Sequence, residues 1–398
     1  MRLDLTEDQS FFQETARRFL EAEAPVGSAR RLIDDLVGFE PGVYRRAADL
    51  GWLAPLAPED FGGGSVSGRA VADLAIVAEE TGRVLFPGPL LDSNLAAAAV
   101  AHLGSDEQKA GHLPDLVSGR ATAALAWSWG DDGWPAAGTP ADAGASADPT
   151  PDGGWRLSGA RHLVPYGSAV DLLVVAATLP AGSVGLFLVP ASSAGLTARR
   201  IDTFDLTRPL ATLDLAAVDL PGTSLLGGGR EDAGAAGLER LLVLASVLQC
   251  AETVGAMEAC FEMTLDYAKS RRAFGRPIGS FQAIKHRLAD MLLWLEWSKA
   301  AVEAAVDAFD RDGAVDGLLG AGAGTDAAEA ASVAKSVIGE HGPLLVRSAV
   351  QVHGGIGYTW EHDVHLFLRR VEANGYLYGS TDFHRSRLAG LVGFPVPA

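Results

Sequence analysis

Four short segments hold residue types able to do chemistry. In "GLERLLVL" the acid Glu239 interrupts an apolar helical start, with Leu238, Leu241 and Leu242 around it. A carboxylate desolvated by such neighbours has its pKa raised and can accept a proton. The same acid close to a helix N-terminus is also favoured simply by the helix dipole. The stretch "SRRAFGRPIGSFQ", residues 270–282, carries Arg271 and Phe274 in a turn that Gly275, Pro277 and Gly279 open and Ser280 closes by capping the next helix. In "QVHGG", residues 351–355, the paired Gly354 and Gly355 permit unusual dihedrals and close approach to the backbone. Gly354 is equally suited to end a helix. In "YLYGSTD", residues 376–382, Tyr378 offers a phenol, whose pKa of about 10 makes a poor base at neutral pH. Asp382 lies one helical turn further on.

The elements that must position these residues come in three blocks. The first, residues 1–120, reads helical. Thr6 and Gln9 form a capping-box pattern, Phe11, Phe12, Ala16, Phe19 and Leu20 recur at helical spacing, and Pro25 stops the pattern. Ser105 and Gln108 offer a second capping box. The second block, 121–235, is a β module. Its segment 130–154 is poor in large apolar residues and rich in Pro, Gly, Ala and Asp, which reads as a long mobile loop. Strand signals follow at "WRLSGARHLV", "VDLLVVAAT", "VGLFLVPA" and "LATLDLAAVDLP". The third block, 236–398, returns to long helices and suggests a four-helix bundle. Helices, then strands, then a bundle is a segregated α+β plan.

Composition narrows the function classes. The chain has 398 residues and a net charge of −18, which argues against nucleic acid as a partner. A few local arginines can still hold an anionic cofactor on an acidic protein. Cys250 and Cys260, ten apart in an apolar helical pattern, match no metal knuckle and read as buried thiols of a reducing compartment, so no metal is expected. The N-terminus lacks an apolar signal core, and no run reads as a bilayer span, so the expectation is a cytoplasmic protein with no membrane partner.

The segments "LGWLAPLAPEDFGG", "EETGR", "GSDEQKAGHLPDLVSGR", "RRAFGRPIGSFQAIKHRLADM" and "QVHGGIGYTWEHDV" together resemble the acyl-CoA dehydrogenase family along almost the whole chain. The resemblance implies that family's fold: a helical N-terminal domain, a middle β-barrel or sandwich domain and a C-terminal four-helix bundle. It implies FAD as cofactor, an acyl-CoA thioester as substrate and α,β-desaturation as the reaction. An electron-transfer flavoprotein is the expected acceptor. It also assigns residues. Arg271, Phe274, Phe281 and Gln282, with Gln351, Val352, His353, Gly354 and Gly355, resemble the clamp that a subunit places on the FAD of its neighbour. Ser128 aligns with a hydroxyl contact to the flavin. The usual catalytic glutamate aligns with Tyr378, which leaves pocket wall as that residue's reading. The alternative position that some relatives use for the base aligns with Glu239, with Arg240 steadying it.

The β module departs from the family pattern. Ser128, Trp129 and Gly130 stand where a Thr-Glu-Pro signature is usual, and Leu163, Val164 and Pro165 replace a second flavin contact. Proline there removes a backbone donor. Three readings follow: one subunit of a heteromeric α2β2 enzyme for a bulky, steroid-like acyl-CoA; a homotetramer with Glu239 as base; or a non-catalytic scaffold completing a partner's FAD site. Trp294, Trp297 and Trp360 could line a cavity, although aromatic residues on such helices usually pack in cores.

Overall fold

The computed structural model describes residues 5–127, 144–228, 233–312 and 325–394. Helices α1 (Glu7–Glu23), α2 (Val26–Arg31), α3 (Pro41–Asp49), α4 (Ala70–Val84), α5 (Leu90–Leu103) and α6 (Asp106–Val117) form the first block. Both capping boxes are present: Thr6 and Ser105 each accept from the backbone N–H three residues on, and Gln9 and Gln108 reach back to the cap. The buried stripe of α1 is Gln9, Phe12, Ala16 and Leu20. Phe11, expected on that stripe, is exposed, because it stands one position off the helical period.

Strands β1 (Ala123–Ala126), β2 (Ala145–Pro149), β3 (Trp155–Pro165), β4 (Leu172–Thr178), β5 (Val184–Pro190), β6 (Leu196–Ile201) and β7 (Leu210–Leu220) form one sheet. Its order is β1-β4-β2-β3-β7-β6, with β5 also paired to β4. The β1–β4 pair is parallel, and β2–β3, β3–β7, β6–β7 and β4–β5 are antiparallel. One sequence expectation needs correction here. Residues 145–149, inside the segment read as a loop, are a strand pairing with β3 from Ala145↔Gly159 to Pro149↔Trp155. Ala145 and Ala147 face inward, and small residues at that face let β2 lie close to its neighbours. Residues 130–143 of the expected loop lie outside the described residues.

Helix α7 (Ala233–Ser270) runs through the centre of the third block, joined by α8 (Gln282–Asp312), α9 (Thr325–His353), α10 (Val364–Asn374) and α11 (Thr381–Leu391). Between α7 and α8 a two-stranded turn pairs β8 (Arg272–Ala273) with β9 (Arg276–Pro277). By length and composition α7 could cross a membrane, contrary to the sequence expectation, but its apolar window is buried inside the fold. An apolar helix hydrophobic all round marks either a span or a core, and here it is the core. Backbone packs on backbone where α7 meets α4. A Cβ added at Gly82 would stand 1.9 Å from the Glu252 carbonyl oxygen, and one at Gly255 would stand 1.8 Å from that of Glu79. Cys250 and Cys260 are buried free thiols on α7, and burial pushes both up to about 12.

Candidate active site

The two segments expected to clamp a cofactor meet on one surface. Tyr267, one turn before Arg271 on α7, stacks on His353 with ring centroids 4.5 Å apart and 25° between planes. Its hydroxyl reaches the His353 carbonyl at 3.4 Å. This contact ties the end of α7 to the end of α9. From it Arg271 emerges exposed, and its guanidinium makes no hydrogen bond or ion pair with the described residues. Phe274, at the tip of the β8–β9 turn, holds a left-handed φ of 51° and is 94% exposed. It stands edge-on to Phe281 at 6.1 Å. The Arg276 guanidinium carbon lies 4.1 Å above the Phe281 ring. Gln282 is exposed beside His286, at 3.4 Å. On the other side Gln351 and Gly355 are exposed while Val352 and His353 are buried. His353 donates through Nδ1 to the Ala349 carbonyl at 2.8 Å, and burial lowers its pKa. Gly354 requires glycine's freedom, with φ of 63°. A Cβ at Gly354 or Gly355 would meet nothing within 4 Å, so the glycines leave open room beside the backbone rather than serving this chain's own packing. An unpaired guanidinium, an exposed aromatic ring and open glycine backbone suit a diphosphate with its nucleoside. Ser128, the other expected flavin contact, lies outside the described residues.

The wall around Tyr378 is a second assembly. Tyr378 follows α10 in a left-handed conformation, φ 56°, with Gly379 at φ 95°. Its ring stacks on Trp127, at the end of β1, with centroids 6.0 Å apart and 16° between planes. Its hydroxyl donates to Asp92 Oδ1 at 3.4 Å. Burial and the nearby Asp92 push the phenol well above its ordinary range. Buried, stacked on Trp127 and donating to Asp92, Tyr378 forms part of the wall. Beside it is a cavity of about 30 Å³, lined by Asp92, Arg208, Gln249, Glu252 and Tyr166 among others. Burial pushes Asp92 up to about 7, with Arg208 pulling against it and Glu252 adding to it.

Under the cavity lies a buried ionic network that sequence reasoning missed. Arg370 donates to Asp205 Oδ2, Glu252 Oε1 and Thr207 Oγ1, each at 2.6 Å. Arg208 donates to Glu252 and, at 2.7 Å, to Asn374 Oδ1. Burial raises Glu252, but the two guanidinium groups outweigh it and hold the carboxyl below its usual range. The network ties the β6–β7 connection to α7 and α10. Isolated charges in apolar helical patterns, Glu252 in "LQCAETVGAM" and Asp92 in "GPLLDSNLAAAAV", were the available signal.

Glu239 belongs to neither assembly. It sits in the second turn of α7, about 15 Å along the axis from Gln249 at ~1.5 Å per residue. Its carboxylate pairs with Arg387 of α11, and its side chain is 37% exposed. Arg240 does not steady it. Neighbours on a helix point ~100° apart, and the Arg240 guanidinium carbon lies 5.6 Å over the Phe309 ring. The apolar surroundings inferred for Glu239 belong instead to Leu238, Leu241 and Leu242, which face the core. Asp382 is exposed in the first turn of α11. Trp297 and Trp360 are exposed, and Trp294 packs at the core margin; none lines the Tyr378 cavity.

Comparisons with known proteins agree with this geometry. Residues 6–120 match the model of the acyl-CoA dehydrogenase N-terminal domain, and 234–392 match that of the C-terminal domain. Acyl-CoA dehydrogenase IpdE2 of Mycobacterium tuberculosis is 30% identical, over 94% of both chains. Its Mycolicibacterium smegmatis counterpart is 28% identical over 94% of this chain and 96% of its own. Among solved structures, the Tcur3481–Tcur3483 steroid ACAD superposes with a TM-score of 0.82 at 30% identity, covering 97% of this chain and 98% of the other. The ChsE4–ChsE5 complex of Mycobacterium tuberculosis gives 0.84 at 26%, covering 99% and 100%. The fold and these matches together make the chain a member of the acyl-CoA dehydrogenase family, the FAD-dependent oxidoreductases of acyl-CoA thioesters.

Proposed function

We propose that this chain is one subunit type of a heteromeric α2β2 acyl-CoA dehydrogenase that desaturates a bulky, steroid-like acyl-CoA. In this reading the chain supplies the clamp of Arg271, Phe274, Phe281, Gln282 and Gln351–Gly355 to the FAD of a paralogous partner, and the partner supplies the base. The observation that carries the reading is a contrast. The residues read as the clamp come together on one exposed surface, whereas the wall aligned with the usual base presents Tyr378 to Trp127 and Asp92. The similarity to a steroid ACAD and to a two-component complex supports the substrate class and the partner. An electron-transfer flavoprotein is the acceptor we infer.

The test is the visible flavin spectrum and the oligomeric mass of the chain purified alone, then co-expressed with a neighbouring paralogue. A colourless or unstable product alone, and a tetramer with about half a FAD per chain on co-expression, is expected. One FAD per chain in a homotetramer overturns the reading.

A further inference from the structure

We propose that Tyr378 is a built-in plug that closes this chain's own catalytic pocket to an acyl thioester. This rests on the heteromer reading and specifies which of the two pocket types is vacant. A flat group held between two rings needs about 7 Å between their planes, twice the ~3.5 Å contact spacing of carbon atoms. Trp127 and Tyr378 are nearly parallel, and their centroids are only 6.0 Å apart. Among the described residues, the cavity beside Tyr378 is about 30 Å³, which holds a water molecule or so and not a thioester. Its lining sets Asp92, Arg208, Gln249 and Glu252 beside Phe86, Leu90 and Leu91, so charged groups share the small space with apolar ones, and Gln249 Nε2 has no hydrogen-bond partner among the described residues.

The plug is held in place rather than merely resting there. A non-glycine residue at left-handed φ, as Tyr378 is at 56°, is strained and persists only where neighbours enforce it. Lys335, buried on α9, donates to the Leu377 carbonyl at 2.6 Å, to the Asn374 carbonyl at 3.0 Å and to Gln249 Oε1 at 2.8 Å. His384 Nε2 donates to the Tyr378 carbonyl at 2.8 Å. Ser380 caps α11 immediately after the turn, accepting from the Phe383 N–H at 3.2 Å. A Cβ on Gly379 would stand 2.6 Å from Phe383 and 2.7 Å from His384, so the turn is packed on its far side as well. Lys335 and His384 are positioning residues: they fix the backbone that aims the phenol at Trp127 and Asp92.

The experiment counts acyl thioesters per flavin on the intact co-expressed enzyme, by equilibrium dialysis with octanoyl-CoA and with a cholyl-CoA thioester as probes. The expected result is one thioester per FAD. Two per FAD in a heteromer overturns the plug while leaving the heteromer reading intact; a homotetramer with one FAD per chain overturns the heteromer reading itself. A second measurement uses Trp127→Ala and Tyr378→Ala in the same complex, with free indole and phenol as probes. A rise in melting temperature of several degrees in a variant, absent in the parent, is expected. An equal shift in parent and variants, or none in either, overturns the plug.

Discussion

Replacing Asp92 by asparagine should stabilise this protein at alkaline pH. Asp92 is buried, hydrogen-bonded to Tyr378, and its pKa rises from 3.8 to about 7. Across that window the folded chain holds a proton that the unfolded chain releases, so stability falls as pH rises from the lower value to the upper. The gap of roughly three units, at 1.36 kcal/mol each, is worth up to ~4 kcal/mol once Asp92 is ionised. Glu252 acts in the opposite sense. Its pKa is depressed, so its contribution is complete above the ordinary carboxylate range and is lost only as pH falls below it. Asp92→Asn removes the first term and leaves the second. The side-chain amide oxygen can still accept from Tyr378. Urea unfolding of parent and variant, at about pH 4 and about pH 8, reads the difference: near zero at the acid end, and ~2–4 kcal/mol in favour of the variant at the alkaline end. A variant no more stable than the parent at the alkaline end refutes the argument. So does a difference that does not change with pH.

Glu239→Gln in the assembled enzyme should leave turnover within about twofold and stability within ~1 kcal/mol, since it breaks one half-exposed ion pair; collapse of turnover with FAD retained would restore Glu239 as base. Arg271→Glu should weaken FAD retention at least ~10-fold in the heteromer, about 1.4 kcal/mol, read by flavin release on dilution; unchanged retention removes Arg271 from the clamp. Gly255→Ala should cost ~1–3 kcal/mol by forcing α4 and α7 apart, visible as a lowered melting temperature; a melting temperature equal to the parent's counts against the close helix contact.

The fold class was legible because its signals are local. Helical periodicity, two capping boxes and the strand runs of β3, β4, β5 and β7 each lie within a dozen residues. The strands that escaped notice are short and carry little β signal. "AALA" and "ASADP" are dominated by small residues, and β6, "LTARRI", presents two arginines on an edge. The segments carrying Arg271 and His353 were visible as motifs, and Tyr267 stacked on His353 brings them to one surface. The ionic network was not visible, because its pairs join residues 44 to 166 positions apart. Glu239 and Glu252 show the limit most directly. Both are acids among leucines and alanines on one helix, and only tertiary packing makes the first a surface partner of Arg387 and the second the buried counter-ion of two arginines.

The tip of the β8–β9 turn bears on how the protein must be made. Phe274 stands almost wholly in water at the tip of the turn, and α8 adds the exposed Leu292, Leu293 and Trp297. Such a surface costs free energy for as long as it stays wet, and it associates with whatever apolar surface arrives first. If the chain is one half of the proposed heteromer, a cell that made it faster than the partner would carry the surplus as a sticky species for chaperones and proteases to clear. In the heteromer proposed above, one solvent-facing phenylalanine makes matched synthesis of the two subunits an advantage.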